Sequence, residues 1–157
     1  MGWFFKNKRE SNPAAAQPEK ISVAPAGAKK ILVVDDNPVV LKAMSLLLTS
    51  RGYHVLTTES AEETISLLGR QKVDLILLDL EFPPDPASVL SDGIMALDWA
   101  RLYGTARHIP VFIISSLEPE KYRKRAEAAG IEVCFRKPVD EKKLLEAIRA
   151  ELGELPA

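Results

Sequence analysis

Residues 31 to 38 read ILVVDDNP and combine a strand with the start of a helix. The four apolar residues at positions 31–34 are typical of a strand that is buried on both faces of a sheet. Asn37 followed by Pro38 is typical of a helix N-terminus, where the asparagine caps and the proline fits the first turn. The stretch therefore predicts a strand that runs into a helix, with two carboxylates, Asp35 and Asp36, at the junction.

Short apolar runs and helical segments alternate along the rest of the chain. Strands are predicted over Ile31–Val34, Tyr53–Thr57, Val73–Asp79, Pro110–Ser115 and Glu132–Arg136. Helices are predicted over about 37–52, from Ser60 (with Glu63 completing a capping box), over about 93–103, over 119–129, and from Asp140 to Leu152. Strands separated by helices pair in parallel through right-handed crossovers. We therefore predict an α/β fold, a doubly wound five-stranded parallel sheet with helices on both faces.

The composition bounds the class of protein. The chain has 157 residues, which suits one domain with a core, and its 21 basic and 22 acidic side chains leave a net charge of −1. This balance argues against direct binding of nucleic acid by bulk electrostatics. The single cysteine, Cys134, excludes an internal disulfide and suits the cytoplasm. No apolar run reaches the roughly 18 residues that a membrane span needs.

The first part of the chain differs from the remainder. Residues 1–30 carry six basic and two acidic side chains, and they lack apolar periodicity. Because such a composition buries too little surface to offset the entropy of ordering, we expect a disordered basic leader over residues 1–29. Trp3, Phe4 and Phe5 at its start would suit a partner groove or a membrane surface, although an N-terminus without a role is the simpler interpretation.

Polar side chains gather where the predicted strands end. Asp35 and Asp36 follow the first strand, Asp79 the third, Ser115 the fourth and Lys137 the fifth. In doubly wound sheets, ligands bind outside the carboxyl ends of the strands. Neighbouring carboxylates need a cation, and an all-oxygen site suits Mg²⁺, while a carboxylate beside a hydroxyl and a lysine suits phosphoryl transfer. Taken singly, each residue is equally typical of helix capping or a solvated loop.

Four motifs carry a resemblance to a known family. They are VVDDNP around Asp35 and Asp36, LILLDLEFP around Asp79, PVFIISS around Ser115, and AGIEVCFRKP ending in Lys137 and Pro138. With these motifs, the segment from about residue 31 to residue 152 resembles the receiver domain of bacterial response regulators, the phospho-accepting half of two-component signalling. The resemblance implies a flavodoxin-like receiver fold of strand order 2-1-3-4-5 over residues 30–153, with a short tail over residues 154–157.

The resemblance also implies a reaction at Asp79. A histidine kinase or a histidine phosphotransfer protein would donate a phosphoryl group to this carboxylate, and the domain would catalyse only its own phosphorylation and dephosphorylation. Asp36 and Asp79 would ligate Mg²⁺ directly, and Mn²⁺ would also serve. The backbone carbonyl of Glu81 would be a third ligand, and Asp35 would act through water.

Further residues receive roles from the same resemblance. Ser115 and the Ser116 amide would contact the phosphoryl group, Lys137 would pair with it, and the peptide bond between Lys137 and Pro138 would be cis. Phosphorylation adds about −1.5 to −2 charges. The fourth helix, fifth strand and fifth helix would respond as a surface for an unidentified downstream protein or for a phosphorylation-dependent dimer.

The chain departs from the family pattern at two places. Position 134 usually holds an aromatic residue, but here it is Cys134, which we expect to be a small buried residue, and Phe135 points to the opposite face. The loop after Asp79 is six residues longer than usual, at positions 84–91, where a tolerated surface insertion is expected. Glu81 is expected to tune the lifetime of the acyl phosphate by disturbing the attacking water.

Three functions remain open on the sequence alone. The first is a single-domain response regulator, because no output domain follows Leu152. The second is an unphosphorylated interaction platform that retains the receiver fold, which the change at Cys134 leaves open. The third is a phosphatase of the haloacid dehalogenase type with Asp79 as nucleophile, for which Glu81 stands where a second aspartate is expected.

Overall fold

The computed structural model describes residues 25–82, 92–102 and 108–155. The aromatic start Trp3–Phe5, nearly all of the predicted leader, the long loop at positions 84–91 and the predicted helix end at Tyr103 lie outside these residues. None of the described helices is long and apolar enough to cross a membrane.

Five parallel strands form a single sheet, as predicted. They are β1 Lys30–Val34, β2 His54–Thr58, β3 Leu75–Leu78, β4 Val111–Ser115 and β5 Val133–Arg136. The strand order is β2-β1-β3-β4-β5, which confirms the flavodoxin-like topology. The third strand is shorter than the predicted Val73–Asp79, and just before it the Asp74 carboxylate accepts a 2.7 Å hydrogen bond from the Lys30 amide.

Within the described residues, five α-helices connect the strands and follow the last one. They are α1 Pro38–Ser50, α2 Ala61–Leu68, α3 Gly93–Leu102, α4 Arg123–Ala128 and α5 Glu141–Leu152. The predicted caps are present: the side chains of Asn37, Ser60 and Asp140 accept hydrogen bonds from the amides of Val39, Glu63 and Lys143. The Glu63 carboxylate completes the box differently from the usual pattern, since it accepts from the amide of Glu59 rather than of Ser60.

The prediction of one continuous helix over residues 119–129 was wrong. A short 3₁₀ turn, Pro119–Lys121, comes first, and α4 starts only at Arg123. The two segments are separated by Tyr122, whose backbone leaves the helical region (φ −130°, ψ −9°) while its ring is buried. The interruption turns this ring into the core, where its burial compensates for the lost helical hydrogen bonds.

Two apolar layers cover the two faces of the sheet. One layer packs β-strand residues such as Leu32 and Ile113 against α2, α3 and α4, and it includes the Tyr122 ring. The other packs residues such as Val33 and Phe112 against α1 and α5. This burial on both faces explains why the strands of the sheet centre are continuously apolar, and it leaves the strand ends as the place for polar chemistry.

Candidate functional site

Backbone hydrogen bonds between neighbouring strands fix the positions of Asp35 and Asp79. Val34 and Leu78 pair in parallel register, and the Asp79 amide donates to the Val34 carbonyl oxygen over 2.9 Å. On the other side, the Asp35 amide donates to the Thr58 carbonyl oxygen over 3.2 Å. Both carboxyl groups therefore leave the same edge of the sheet side by side.

Lys137 joins these carboxylates from the end of β5. Its amide donates to the Ser115 carbonyl oxygen over 3.0 Å, and the peptide bond to Pro138 is cis. The ammonium nitrogen lies 2.7 Å from Asp35 Oδ2 and 3.3 Å from Asp79 Oδ2. Desolvation opposes the charge on Lys137, but the hydrogen bond to Asp35 and the nearby charge of Asp79 outweigh it, so the pKa of Lys137 is raised.

The Asp79 carboxyl is almost completely sheltered from solvent. Its residue is 3% exposed, and this burial raises its pKa above the usual range. The Glu81 amide, which donates to Asp79 Oδ1 over 3.2 Å, and the Lys137 ammonium act in the opposite direction without reversing the shift. The negative charge of Asp35 adds to it. A carboxylate held in this way gains from any additional cation placed beside it.

Three carboxylates meet at this edge with the spacing of a cation site. One oxygen from each of Asp35, Asp36 and Asp79 lies within 4.8 Å of the others. Asp35 and Asp79 are buried, whereas Asp36 is exposed, so the cluster opens toward solvent on one side. Hard carboxylate oxygens with access for water are the donor set that Mg²⁺ prefers. The residues present therefore fit a magnesium ion.

The predicted serines and Glu81 line the same edge, where their side chains form hydrogen bonds with neighbours other than the Lys137 ammonium. The buried Ser115 hydroxyl accepts a hydrogen bond from the Leu117 amide over 3.1 Å, so it is engaged within its own loop. The exposed Ser116 hydroxyl donates to the Glu81 carboxylate. The structure thus groups Asp35, Asp36, Asp79 and Lys137 directly, and it places Ser115 at the end of β4 and Ser116 and Glu81 on the loops that follow β4 and β3.

Gly93 supports the site in a way that the sequence analysis missed. A Cβ atom added at this position would lie 2.5 Å from the Asp79 carbonyl oxygen and 2.9 Å from Leu78 Cδ1. Only glycine lets the first turn of α3 approach the Asp79 backbone so closely. A glycine at the first position of a helix, directly after the capping Asp92, was the available signal.

The prediction that Cys134 is buried was wrong. It lies on β5, an edge strand whose α4-side face is only partly covered, and its side chain is exposed. The neighbouring Phe135 points to the other face, where its ring lies 6.2 Å from the ring of Phe112. Desolvation raises the pKa of the Cys134 thiol. A thiol that resists ionisation lacks the thiolate character of a redox sensor.

Comparison with known proteins identifies the family. The sequence profile described as "Response regulator receiver domain" matches residues 31–149. The chain belongs to the response regulator receiver family. Receiver domains are signalling domains of two-component systems rather than enzymes that turn over an external substrate.

Individual relatives agree with this assignment of a receiver domain. The polar-differentiation response regulator DivK of Brucella anthropi is 26% identical over 126 residues, which cover 80% of this chain and 98% of the relative. A response regulator receiver protein of Pseudomonas putida is 30% identical with a TM-score of 0.70, covering 79% of this chain and 98% of that one. The receiver domain of a sensor histidine kinase of Pseudomonas aeruginosa, with a magnesium ion coordinated in its active-site cleft, is 27% identical with a TM-score of 0.69, covering 81% and 99%.

Proposed function

We propose that this receiver domain works in the cytoplasm as a response regulator that accepts a phosphoryl group on Asp79. The donor would be the phosphohistidine of a histidine kinase or of a histidine phosphotransfer protein. The observation that carries the proposal is the buried Asp79 carboxyl, held beside Asp35 and within 3.3 Å of the Lys137 ammonium, in a cluster that fits a divalent cation. This is an arrangement suited to a labile acyl phosphate.

The side chains divide the work of the transfer. An Asp79 oxygen attacks the phosphorus, a P–O bond forms as the P–N bond to the donor imidazole breaks, and the leaving imidazole takes a proton from solvent. Lys137 pairs with the phosphoryl oxygens, and the Ser115 hydroxyl and the Ser116 amide donate to them. Mg²⁺, or Mn²⁺ in its place, would neutralise charge on these oxygens.

The ligands of that cation are assigned within the same proposal. Asp36 and Asp79 would hold it directly together with the backbone carbonyl of Glu81, and Asp35 would act through water. The Glu81 side chain, which accepts a hydrogen bond from Ser116 at the mouth of the site, would tune the lifetime of the acyl phosphate by disturbing the attacking water.

Phosphorylation would be transmitted as a change of charge. The acyl phosphate carries about −1.5 to −2 charges in place of the single negative charge of the carboxylate, and the backbone after Ser115 can move toward it. The surface formed by α4, β5 and α5 would respond and bind a downstream protein or a second copy of the chain.

A second candidate function is an interaction platform that is not phosphorylated. The exposed Cys134 favours it, because β5 carries no aromatic side chain on the α4 face through which the Ser115 loop could act. A phosphatase with Asp79 as nucleophile is the third, since the same carboxylate could release phosphate repeatedly.

One experiment separates these functions. The protein is incubated with Mg²⁺ and acetyl phosphate, and intact mass and released phosphate are followed, with Asp79→Ala as the test variant and Asp98→Ala on the exposed side of α3 as control. A one-to-one adduct that Asp79→Ala abolishes and Asp98→Ala retains supports the proposal. The absence of an adduct supports the platform, and steady release over many turnovers supports the phosphatase.

A further inference from the structure

Helices α3 and α4 are fastened to each other at two points. The Arg125 guanidinium donates two hydrogen bonds to the Asp92 carboxylate, over 2.5 Å and 3.0 Å. At the opposite end of the pair, the Arg101 guanidinium, in the last turn of α3, donates to the Ala129 carbonyl oxygen, which follows the last turn of α4. Two contacts at separate places resist both sliding and rotation of one helix against the other.

The contact between Asp92 and Arg125 has the features of a strong ion pair. It is bidentate, and the Asp92 side chain is only 20% exposed, although that of Arg125 is 50% exposed. Burial alone would raise the pKa of Asp92, but the hydrogen bonds from Arg125 and from the Met95 amide outweigh it and lower the pKa. The same contact raises the pKa of Arg125.

The start of α3 in turn rests on the phosphoacceptor segment. Gly93 packs against the Asp79 carbonyl oxygen so closely that a Cβ atom would lie 2.5 Å from it. Asp92 directly precedes this glycine and caps the helix by accepting from the Met95 amide over 3.0 Å. A displacement of the Asp79 backbone therefore pushes on α3 with no intervening side chain to absorb it.

The path from the site to α4 through β5 is less direct. Cys134 is small and exposed on the α4 face of β5, and the aromatic Phe135 lies on the other face. The buried aromatic on the α4 side is Tyr122, which belongs to the α4 segment itself and packs in the same apolar layer as Ile113. Arg136 of β5 pairs with Glu118 over 2.6 Å and the Cys134 thiol contacts the Tyr122 hydroxyl, so β5 reaches the residues that precede α4, whereas α3 is joined to α4 itself.

We propose that the contacts of Asp92 with Arg125 and of Arg101 with Ala129 make α3 and α4 move as one unit, so that phosphorylation of Asp79 reaches α4 through α3. This inference rests on the proposed function, because it needs the phosphorylation to occur. The relevant residue pair is Asp92 and Arg125, since Arg125 is exposed on α4 and can be replaced without opening the core.

The single cysteine supplies the probe for a test with the full chain. Cys134 shares a groove with Tyr122, Arg123 and Ala126 from the α4 segment, so a trifluoromethyl label on its thiol senses the position of α4. The fluorine spectrum is recorded before and after phosphorylation with Mg²⁺ and acetyl phosphate, and the adduct is measured by intact mass in the same samples. The variants are Arg125→Gln, Arg125→Lys and, as a control with the same loss of charge at the next exposed position, Lys124→Gln.

We expect every variant to form the adduct, because none of these side chains lies at Asp79. The chemical-shift change on phosphorylation should be full in the wild type and in Lys124→Gln, mostly lost in Arg125→Gln, and partly restored in Arg125→Lys. A full change in Arg125→Gln, or a wild-type adduct without any change, would overturn the inference and leave the proposed function standing. A wild type that forms no adduct would overturn the proposed function and the inference together.

Discussion

The Lys137 ammonium lies 2.7 Å from the Asp35 carboxylate and donates a hydrogen bond to it. It approaches Asp79 less closely, at 3.3 Å. The lysine therefore neutralises the same carboxylates that would hold a divalent cation, and the two positive charges compete for them. Because of this competition, a change at Lys137 should alter both the affinity for Mg²⁺ and the rate of phosphorylation.

Replacing Lys137 should separate metal binding from phosphorylation. Lys137→Met removes the competing charge, so Mg²⁺ affinity should increase about fivefold, the equivalent of about 1 kcal/mol for one charge in a partly solvated site. The rate of phosphorylation by acetyl phosphate should fall at least about tenfold, because a donor to the phosphoryl oxygens is lost. Titration calorimetry and intact mass measure the two effects. Lys142→Met on the exposed face of α5 should change neither, and weaker Mg²⁺ binding by Lys137→Met would contradict the prediction.

Neutralising Asp79 should stabilise the metal-free protein. Burial raises the pKa of Asp79, so the folded state holds this proton more tightly than the unfolded chain does. The free energy of unfolding therefore falls as the pH rises from the unfolded pKa through the folded pKa, and at pH 7 the ionised carboxylate is a cost. Asp79→Asn should raise the free energy of unfolding by about 1 kcal/mol in EDTA, as measured by urea denaturation.

Added Mg²⁺ provides the control for that experiment. Excess Mg²⁺ should stabilise the wild type by mass action and stabilise Asp79→Asn much less, because one ligand is gone. Asp98→Asn should behave as the wild type under both conditions. If Asp79→Asn unfolds more easily than the wild type in EDTA, the interpretation of the buried charge fails.

Gly93 should tolerate no side chain. Gly93→Ala places a Cβ atom 2.5 Å from the Asp79 carbonyl oxygen, so α3 or the Asp79 segment must shift, at a cost of about 2–3 kcal/mol in the free energy of unfolding. Gly69→Ala is the matched control, because its Cβ would have ordinary contacts at 3.6 Å and its backbone is helical. That variant should be within about 0.5 kcal/mol of the wild type. Equal stabilities of the two variants in urea would show that the close approach is not needed.

The ion pair of Asp92 should appear in the pH dependence of stability. Its pKa is lowered in the folded state, so its contribution is present above the unfolded pKa of about 3.9 and is lost as the pH falls through the folded pKa. Asp92→Asn keeps the helix cap and removes the charge. It should lower the free energy of unfolding by about 1 kcal/mol or less at pH 7, given the exposure of Arg125, and by progressively less as the pH falls below the unfolded pKa. The free energy of unfolding is measured in urea for the wild type and Asp92→Asn from pH 7 down to acid pH, with Glu146→Gln on the exposed face of α5 as control. A difference between the wild type and Asp92→Asn that does not change with pH would show that the charge is irrelevant.

The Glu81 side chain should set how long the acyl phosphate survives. It is exposed and accepts a hydrogen bond from Ser116, and in the proposed function it would disturb the water that attacks the acyl phosphate. Glu81→Ala keeps the backbone carbonyl and should change the rate of adduct hydrolysis by about threefold or more, of the order of 1 kcal/mol in the barrier. Following the decay of the adduct by intact mass after removal of acetyl phosphate gives the rate, with Glu118→Ala on the neighbouring loop as control. Equal decay in the wild type and in Glu81→Ala would remove this role.

The sheet was predictable because its signals are local. The apolar run at residues 31–34 can be buried only if both faces of the sheet are covered. Asn37 and Pro38 mark the start of the helix that follows. Strands that alternate with helices pair in parallel. Parallel pairing brings Asp35 and Asp79 to the same edge of the sheet. The grouping of the carboxylates was therefore predictable from the sequence alone.

Other features depend on contacts between distant segments and leave no local signal. Tyr122 interrupts a helix that its neighbours favour, because its ring finds space in the apolar layer beside Ile113. The exposure of Cys134 follows from β5 being an edge strand with a short helix above it, which the sequence of β5 does not encode. The pairing of Arg125 with Asp92 joins residues 33 positions apart, and many acids could have served as its partner.

The close packing of Gly93 against the Asp79 backbone has a practical consequence for protein engineering. The segment between Asp79 and Gly93 is anchored at both ends. The backbone hydrogen bond from Asp79 to Val34 holds its start, and the helix cap at Asp92 holds its end. An epitope or a fluorescent reporter inserted between these two anchors should therefore leave the backbone hydrogen bond and the helix cap in place.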